Sequence, residues 1–238
     1  MLSSNLISIT MKKMTKGEGA AVRRPRGRPR SFDREAALRS AMEVFWNKGF
    51  EAATLHDLTA AMGINPPSLY AAFGDKERLY MEALRRYQDE RREAILRMLR
   101  EAPTAREAIE GILRESAAEI CRSGHPRGCM VAMSAATCSG ASAGMQAEIA
   151  ECRASARRHV KERIDRGIRE GDVPPGTDSG ALADFYNAVF TGMAMQAREG
   201  ASRKSLLATV DAAMRAWPRA AVRPRERSAR GAAVEHEG

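Results

Sequence analysis

Aromatic side chains are scarce in this chain: six Phe, four Tyr and two Trp make up 5% of its 238 residues. Sheets lean on aromatic and β-branched residues, so this shortage, beside plentiful Ala, Met and Arg, favours helices. No segment alternates apolar and polar residues with period two, and no internal repeat is visible. Cysteine is sparse too, and four residues in a chain of this length argue for reduced thiols in the cytoplasm rather than a disulfide framework. Long apolar runs are missing. The twenty uncharged residues 128–147 are mostly Ala, Ser, Gly, Thr and Cys, too weakly apolar to insert into a bilayer. The opening MLSSNLISITM has neither a charged n-region nor a small-residue cleavage site, so no export signal is expected. It reads as disordered, or as an over-long start with Met11 or Met14 as the true one. No glycine-rich phosphate loop and no nucleophile elbow is present, which removes the commonest enzyme signatures. Nothing points to a cofactor.

What is present is charge, unevenly placed. The formal net charge is +9, and residues 1–31 supply +7 of it, from eight basic residues against the single acid Glu18. The arm "RRPRGRPR", with Arg26, Arg28 and Arg30, separates its arginines by Pro and Gly. That pattern suits an extended minor-groove or phosphate contact better than an amphipathic membrane helix, and no membrane contact is expected. Residues 32–80 sum to −2, from five basic and seven acidic side chains, so the segment after the arm is no general polyanion binder.

Punctuation then sets the helices. Asp33 caps a first helix that carries Leu38, Ala41, Met42 and Phe45 inward and ends at Gly49. Thr54 and Asp57 form a capping box for a second, closed by Gly63. Pro66 or Pro67 opens a third, where a missing N–H costs nothing. Asp75 caps a fourth, from Lys76 to about Arg100. Further helices are expected from Thr104 to about Cys121, over about 127–138, 144–170 and 178–198, and from Ser202 to Trp217. The fold class is all-α, about nine helices, with an Arg/Ala-rich tail (218–238) expected to be disordered.

Two short helices joined by a tight glycine turn make a helix-turn-helix over 54–73, whose second helix enters the major groove. Leu69 and Phe73 fix that helix to the core, leaving Ser68, Tyr70, Ala71 and Ala72 outward. Small outward side chains let the axis sit deep, Ser68 can bond a base edge or phosphate, and Tyr70 offers a hydroxyl. Pro66 sets the entry angle. Lys76 opposes the dipole of its own helix, which makes better sense if a phosphate binds there.

The stretch "FDREAALRSAMEVFWNKGFEAATLHDLTAAMGINPPSLYAAFGDKERLYMEAL" resembles the N-terminal domain of the TetR family of bacterial transcriptional regulators. The likeness rests on Phe45, Lys48-Gly49-Phe50 and Thr54, then Leu69, Tyr70, Phe73, Gly74, Lys76 and Leu79. Pro66-Pro67 departs from it, since family members commonly carry small or polar residues there. The resemblance implies a homodimer on a palindromic operator of double-stranded DNA, acting as a repressor that a ligand releases. It implies that Thr54, Ser68, Tyr70 and Lys76 touch DNA. Behind a basic arm (1–30) that the charge marks out and that is expected to be disordered, it implies a DNA-binding domain (31–78) and an effector-binding and dimerisation domain (79–217) whose last two helices pair between copies.

Leu182, Phe185, Val189 and Met193 form the expected dimer stripe, extended sideways by Ala183, Tyr186 and Phe190. "HPRGCMVAMSAATC" (125–138) resembles a subset of the family in which a Gly-Cys pair begins a pocket helix, some members of which respond to electrophiles or oxidants. Cys129 stands at an expected helix N-terminus near Arg127 and His125, three features that favour the reactive thiolate form. Cys138 and Met133 complete the candidate effector site. Met130, Met133, Met145, Met193 and Met195 fit either a soft pocket lining for an unknown small molecule or core filler. Two other chemistries stand beside these: a thiol-dependent enzyme built on Cys129 with His125 or His159, and a metal site from Cys121, His125 and Cys129. Gly124 and Pro126 break the helix that would align that trio, so no metal is expected.

Overall fold

The computed structural model describes residues 32–138 and 140–218. The arm with Arg26, Arg28 and Arg30, and the tail from residue 219 on, lie outside the described residues. Among the described residues there are nine helices and no strand: α1 (Arg34–Ala52), α2 (Leu55–Met62), α3 (Pro66–Phe73), α4 (Lys76–Glu101), α5 (Ala105–Glu119), α6 (Met130–Thr137), α7 (Ala143–Glu170), α8 (Ser179–Arg198) and α9 (Arg203–Arg215). Each expected cap is in place. Asp33 Oδ1 accepts from the N–H groups of Glu35 (2.9 Å) and Ala36 (3.1 Å), and Asp75 Oδ1 from that of Arg78 (2.8 Å).

α1 does not stop at Gly49 but kinks there. Gly49 holds φ +78°, and a Cβ on it would lie 2.7 Å from Thr137 Cβ, so only glycine lets α6 come this close to α1. α1 packs on α2, α4 and α6; α5 and α7 pack on α4, α7 and α8 pack on α6, and α9 packs on α5 and α8. The few aromatics are concentrated where α1 meets α4. Phe45 meets Tyr80 edge-on at 5.0 Å, Phe50 meets Tyr80 at 5.3 Å, and Trp46 meets Tyr87 at 4.8 Å. A second group, Phe185, Tyr186 and Trp217, closes α8 onto the end of α9. No helix among the described residues is long and apolar enough to cross a membrane.

Candidate DNA-reading face and thiol site

The helix-turn-helix is built by side chains that hold backbone ends. The Thr54 hydroxyl accepts the Asp57 N–H at 3.1 Å. Thr54 in turn donates its N–H (3.0 Å) and its hydroxyl proton (2.7 Å) to Asp57 Oδ2, while Lys48 Nζ donates to Oδ1 at 2.6 Å. The Lys48 ammonium, followed by the two Thr54 donors, holds the Asp57 carboxyl well below the usual carboxylate range. Thr54 therefore has no donor left for a phosphate. Expected as a DNA contact, it is the cap that orients α2. Gly63 then turns the chain with φ +65°, and Asn65 caps α3 by accepting the Ser68 N–H at 2.9 Å.

Leu69 and Phe73 are buried as expected, and Tyr70 stands 47% exposed beside exposed Pro66, Pro67 and Ala71. Ser68 and Ala72 are only half-exposed, so the outward face of α3 is narrower than the spacing suggested. The reason for Ala72 is Arg34, which the sequence reading passed over. Its guanidinium lies 4.4 Å from the centre of the Phe73 ring, donates to the Ala72 carbonyl at 3.3 Å, and pairs with Glu82. It thereby pins the C-terminal end of α3 between α1 and α4. Lys76 is folded inward rather than extended. Its Nζ sits 4.6 Å from the Phe50 ring centre and 3.4 Å from the Glu51 carbonyl oxygen, and burial lowers its pKa. A phosphate would have to draw it off that ring.

The thiols divide. Cys129 is the N-cap of α6 and is buried, with no side-chain capping bond. Neither expected neighbour attends its sulfur. Arg127 turns to the Ala201 carbonyl and to Cys121 Sγ at 3.4 Å. The His125 ring stacks on Trp46 at 4.7 Å, with Nδ1 2.8 Å from the Pro126 oxygen and Nε2 3.5 Å from Glu119 Oε1. A Cys129–His125 catalytic pair is thus not formed, and Cys121, His125 and Cys129 are parted. Among the described residues no three His, Cys, Asp or Glu side chains are gathered as metal ligands. Cys138 lies at the other end of α6, about 13 Å along the axis, and burial pushes its thiol pKa up. Met133 is half-buried between them. Of the methionines, Met130, Met145 and Met193 belong to the core, and Met145 also borders a crevice of about 400 Å³ with Arg34, Phe73 and Met81.

Contacts from the helical bundle fix the back of the reading unit. Glu51 accepts the Gly140 N–H at 2.7 Å and Glu77 accepts the Ser142 N–H at 2.8 Å, so two carboxylates hold the α6–α7 loop. From α8, Arg198 donates to the carbonyls of Trp46 (2.7 Å) and Asn47, next to the α1 kink. On α8 itself the expected stripe splits. Phe185 is 40% exposed and Leu182 and Val189 are half-buried, but Met193 is fully buried. Met193 shares the inward face with Ala183, Tyr186, Ala194 and Ala197, because α8 is apolar on two sides and Met193 falls on the one that meets its own bundle.

Comparison with known proteins places this geometry. Residues 37–83 match the family model "Bacterial regulatory proteins, tetR family", and residues 105–214 match "Tetracyclin repressor-like, C-terminal domain". The HTH-type transcriptional repressor ComR of Escherichia coli K12 is 34% identical over 200 residues, 83% of this chain and 94% of that protein. The HTH-type transcriptional repressor BdcR of the same strain is 32% identical over 185 residues, 77% and 88% of the two chains. A cysteine mutant of the TetR family regulator CifR, solved with 26-base-pair operator DNA, is 44% identical and superposes with a TM-score of 0.76 over 80% of this chain and 100% of its own. This chain belongs to the TetR family of bacterial transcriptional regulators.

Proposed function

We propose that the chain is a homodimeric repressor that lays one α3 from each copy into the major groove of a palindromic operator. The observation that carries this is the α2–α3 unit, with Tyr70, Pro66, Pro67 and Ala71 outward and Leu69, Phe73 and Arg34 holding the helix from behind. The relatives named as repressors and the operator complex of CifR support the same reading. In it, Ser68 and Tyr70 face the groove, Lys76 leaves the Phe50 ring for a phosphate, and Arg26, Arg28 and Arg30 follow the backbone. Residues 31–78 form the reading domain, 79–217 the effector and dimer domain, and 1–30 and 218–238 the flanking segments. Leu182, Phe185 and Val189 meet their counterparts in the second copy. Release follows when an electrophile, an oxidant or another small molecule acts on the bundle, with Cys129 as the receiving thiol and Met133 beside it.

The test is a gel shift on the DNA upstream of its own gene, with and without a thiol-alkylating quinone or hypochlorite. The expected result is a shift that treatment abolishes in the natural protein and spares in Cys129→Ser. A shift indifferent to treatment overturns the thiol signal, and no shift on any upstream fragment overturns DNA recognition.

A further inference from the structure

The surroundings of Cys129 carry more than a thiol. Tyr87, on α4, is 3% exposed, and among the described residues its hydroxyl makes no hydrogen bond of normal geometry. Its polar neighbours are the Cys129 thiol and the Met130 backbone at the start of α6. Trp46, on α1, is 7% exposed, and its indole N–H is likewise buried without an acceptor. The two rings touch edge-on at 4.8 Å, and the other side of Trp46 is covered by His125. A buried donor left unmade is costly and rare, and two such donors in one aromatic contact next to a thiol call for an acceptor that the described residues do not supply with good geometry. Indole can only donate, and burial raises the Tyr87 pKa, so the phenol stays a donor throughout the physiological range.

Charge narrows the ligand. Arg127 is committed to the Ala201 carbonyl, and Arg91, which approaches the Tyr87 ring at 5.9 Å, is paired with Glu119 at 2.9 Å. Among the described residues no cation is hydrogen-bonded to the Cys129 thiol, so a neutral ligand fits better than an anionic one.

Building on the reading of Cys129 as the receiving thiol, we infer that the site takes a small neutral α,β-unsaturated carbonyl compound, with Tyr87 donating to its oxygen while Cys129 Sγ attacks its β-carbon. The sulfur lone pair forms the C–S bond, and the C=C π pair moves through the conjugated system onto oxygen. The Tyr87 hydroxyl, with the Trp46 N–H behind it, stabilises that enolate oxygen as charge develops. The α-carbon then takes up a proton in place of the one the thiol has lost, and the product is a neutral thioether with no net oxidation. The donors gain their acceptor only with the ligand in place, so adduct formation shifts the Trp46 side of α1, whose carbonyls Arg198 holds.

Two reagents on the full-length protein test this: methyl vinyl ketone, which carries the oxygen, and allyl bromide, which alkylates thiols without one. Adducts on Cys129 are timed by mass spectrometry in the natural protein and in Tyr87→Phe, which keeps the ring and removes only the hydroxyl. The expected result is that Tyr87→Phe slows the ketone reaction by at least about tenfold and leaves the bromide rate within about twofold, with an unchanged or raised melting temperature because the hydroxyl makes no hydrogen bond of normal geometry among the described residues. Equal slowing of both reagents, or of neither, overturns the role of Tyr87 while leaving Cys129 as a sensor. No ketone adduct on Cys129 in the natural protein overturns both together. An adduct that forms with the expected dependence on Tyr87 but leaves operator DNA bound sinks the signalling reading alone.

Discussion

Asp57 shows how little of the reading unit's chemistry is aimed at DNA and how much at holding it in shape. Three donors from Thr54 and Lys48 converge on one carboxylate and depress its pKa. A carboxyl whose pKa falls on folding gives stability that is complete above the unfolded value, about 4, and that is lost as pH drops through that value toward the folded one. Asp57→Asn is therefore expected to lower the melting temperature most at about pH 7 and by a smaller margin at about pH 3, where the carboxyl of the unfolded chain has largely protonated while the folded one is still ionised. Thermal melts of both proteins at the two pH values check this, and an equal gap at both would remove the ion pair from the account. Tyr70 is the opposite kind of residue, exposed and free of such packing. A large aromatic left there fits the contact with DNA proposed above.

At the scale of elements, α8 is the test. Its inner face is filled by Ala183, Tyr186 and Met193, and the outer strip of Leu182, Phe185 and Val189 remains partly open to solvent. Phe185→Asp is expected to convert the dimer to a monomer in sedimentation experiments while leaving helix content unchanged, since the side chain lies outside the monomer core. A dimer that survives the change would put the interface elsewhere. The same helix shows where the sequence stops being informative. Helix positions were legible because caps and breakers are local: Asp33, Thr54, Asn65, Asp75 and Gly63 each act within a few residues. Which apolar face of α8 meets its own bundle is decided by distant partners, and so spacing alone does not separate buried Met193 from the outer strip. Arg198 reaches Trp46 across 152 positions, and Tyr87 stands against Cys129, with no spacing rule to announce either. Arg127 was close to Cys129 in sequence but turned to Ala201, because a glycine at 128 with φ +87° redirects the chain between them.

At the scale of the molecule, two facts combine. The charge is divided, with +7 of the net +9 in residues 1–31 and −2 over residues 32–80. The reading helix, for its part, is short and braced on its inner side by Arg34 and Leu69. In the proposed reading the arm supplies affinity and the helix selection, the division expected of a protein that binds DNA loosely anywhere and tightly at one sequence. The bracing of α1 and the α6–α7 loop by Arg198, Glu51 and Glu77 gives the bundle a physical hold on the angle at which each reading unit is presented. The most direct measurement is a hydroxyl-radical footprint of the full-length protein on the DNA upstream of its own gene. The account predicts two matching protected patches on one face of the duplex, related by a two-fold axis and about one or more helical turns apart, and their loss in Tyr70→Ala. Uniform, sequence-independent protection that Tyr70→Ala leaves intact would contradict it.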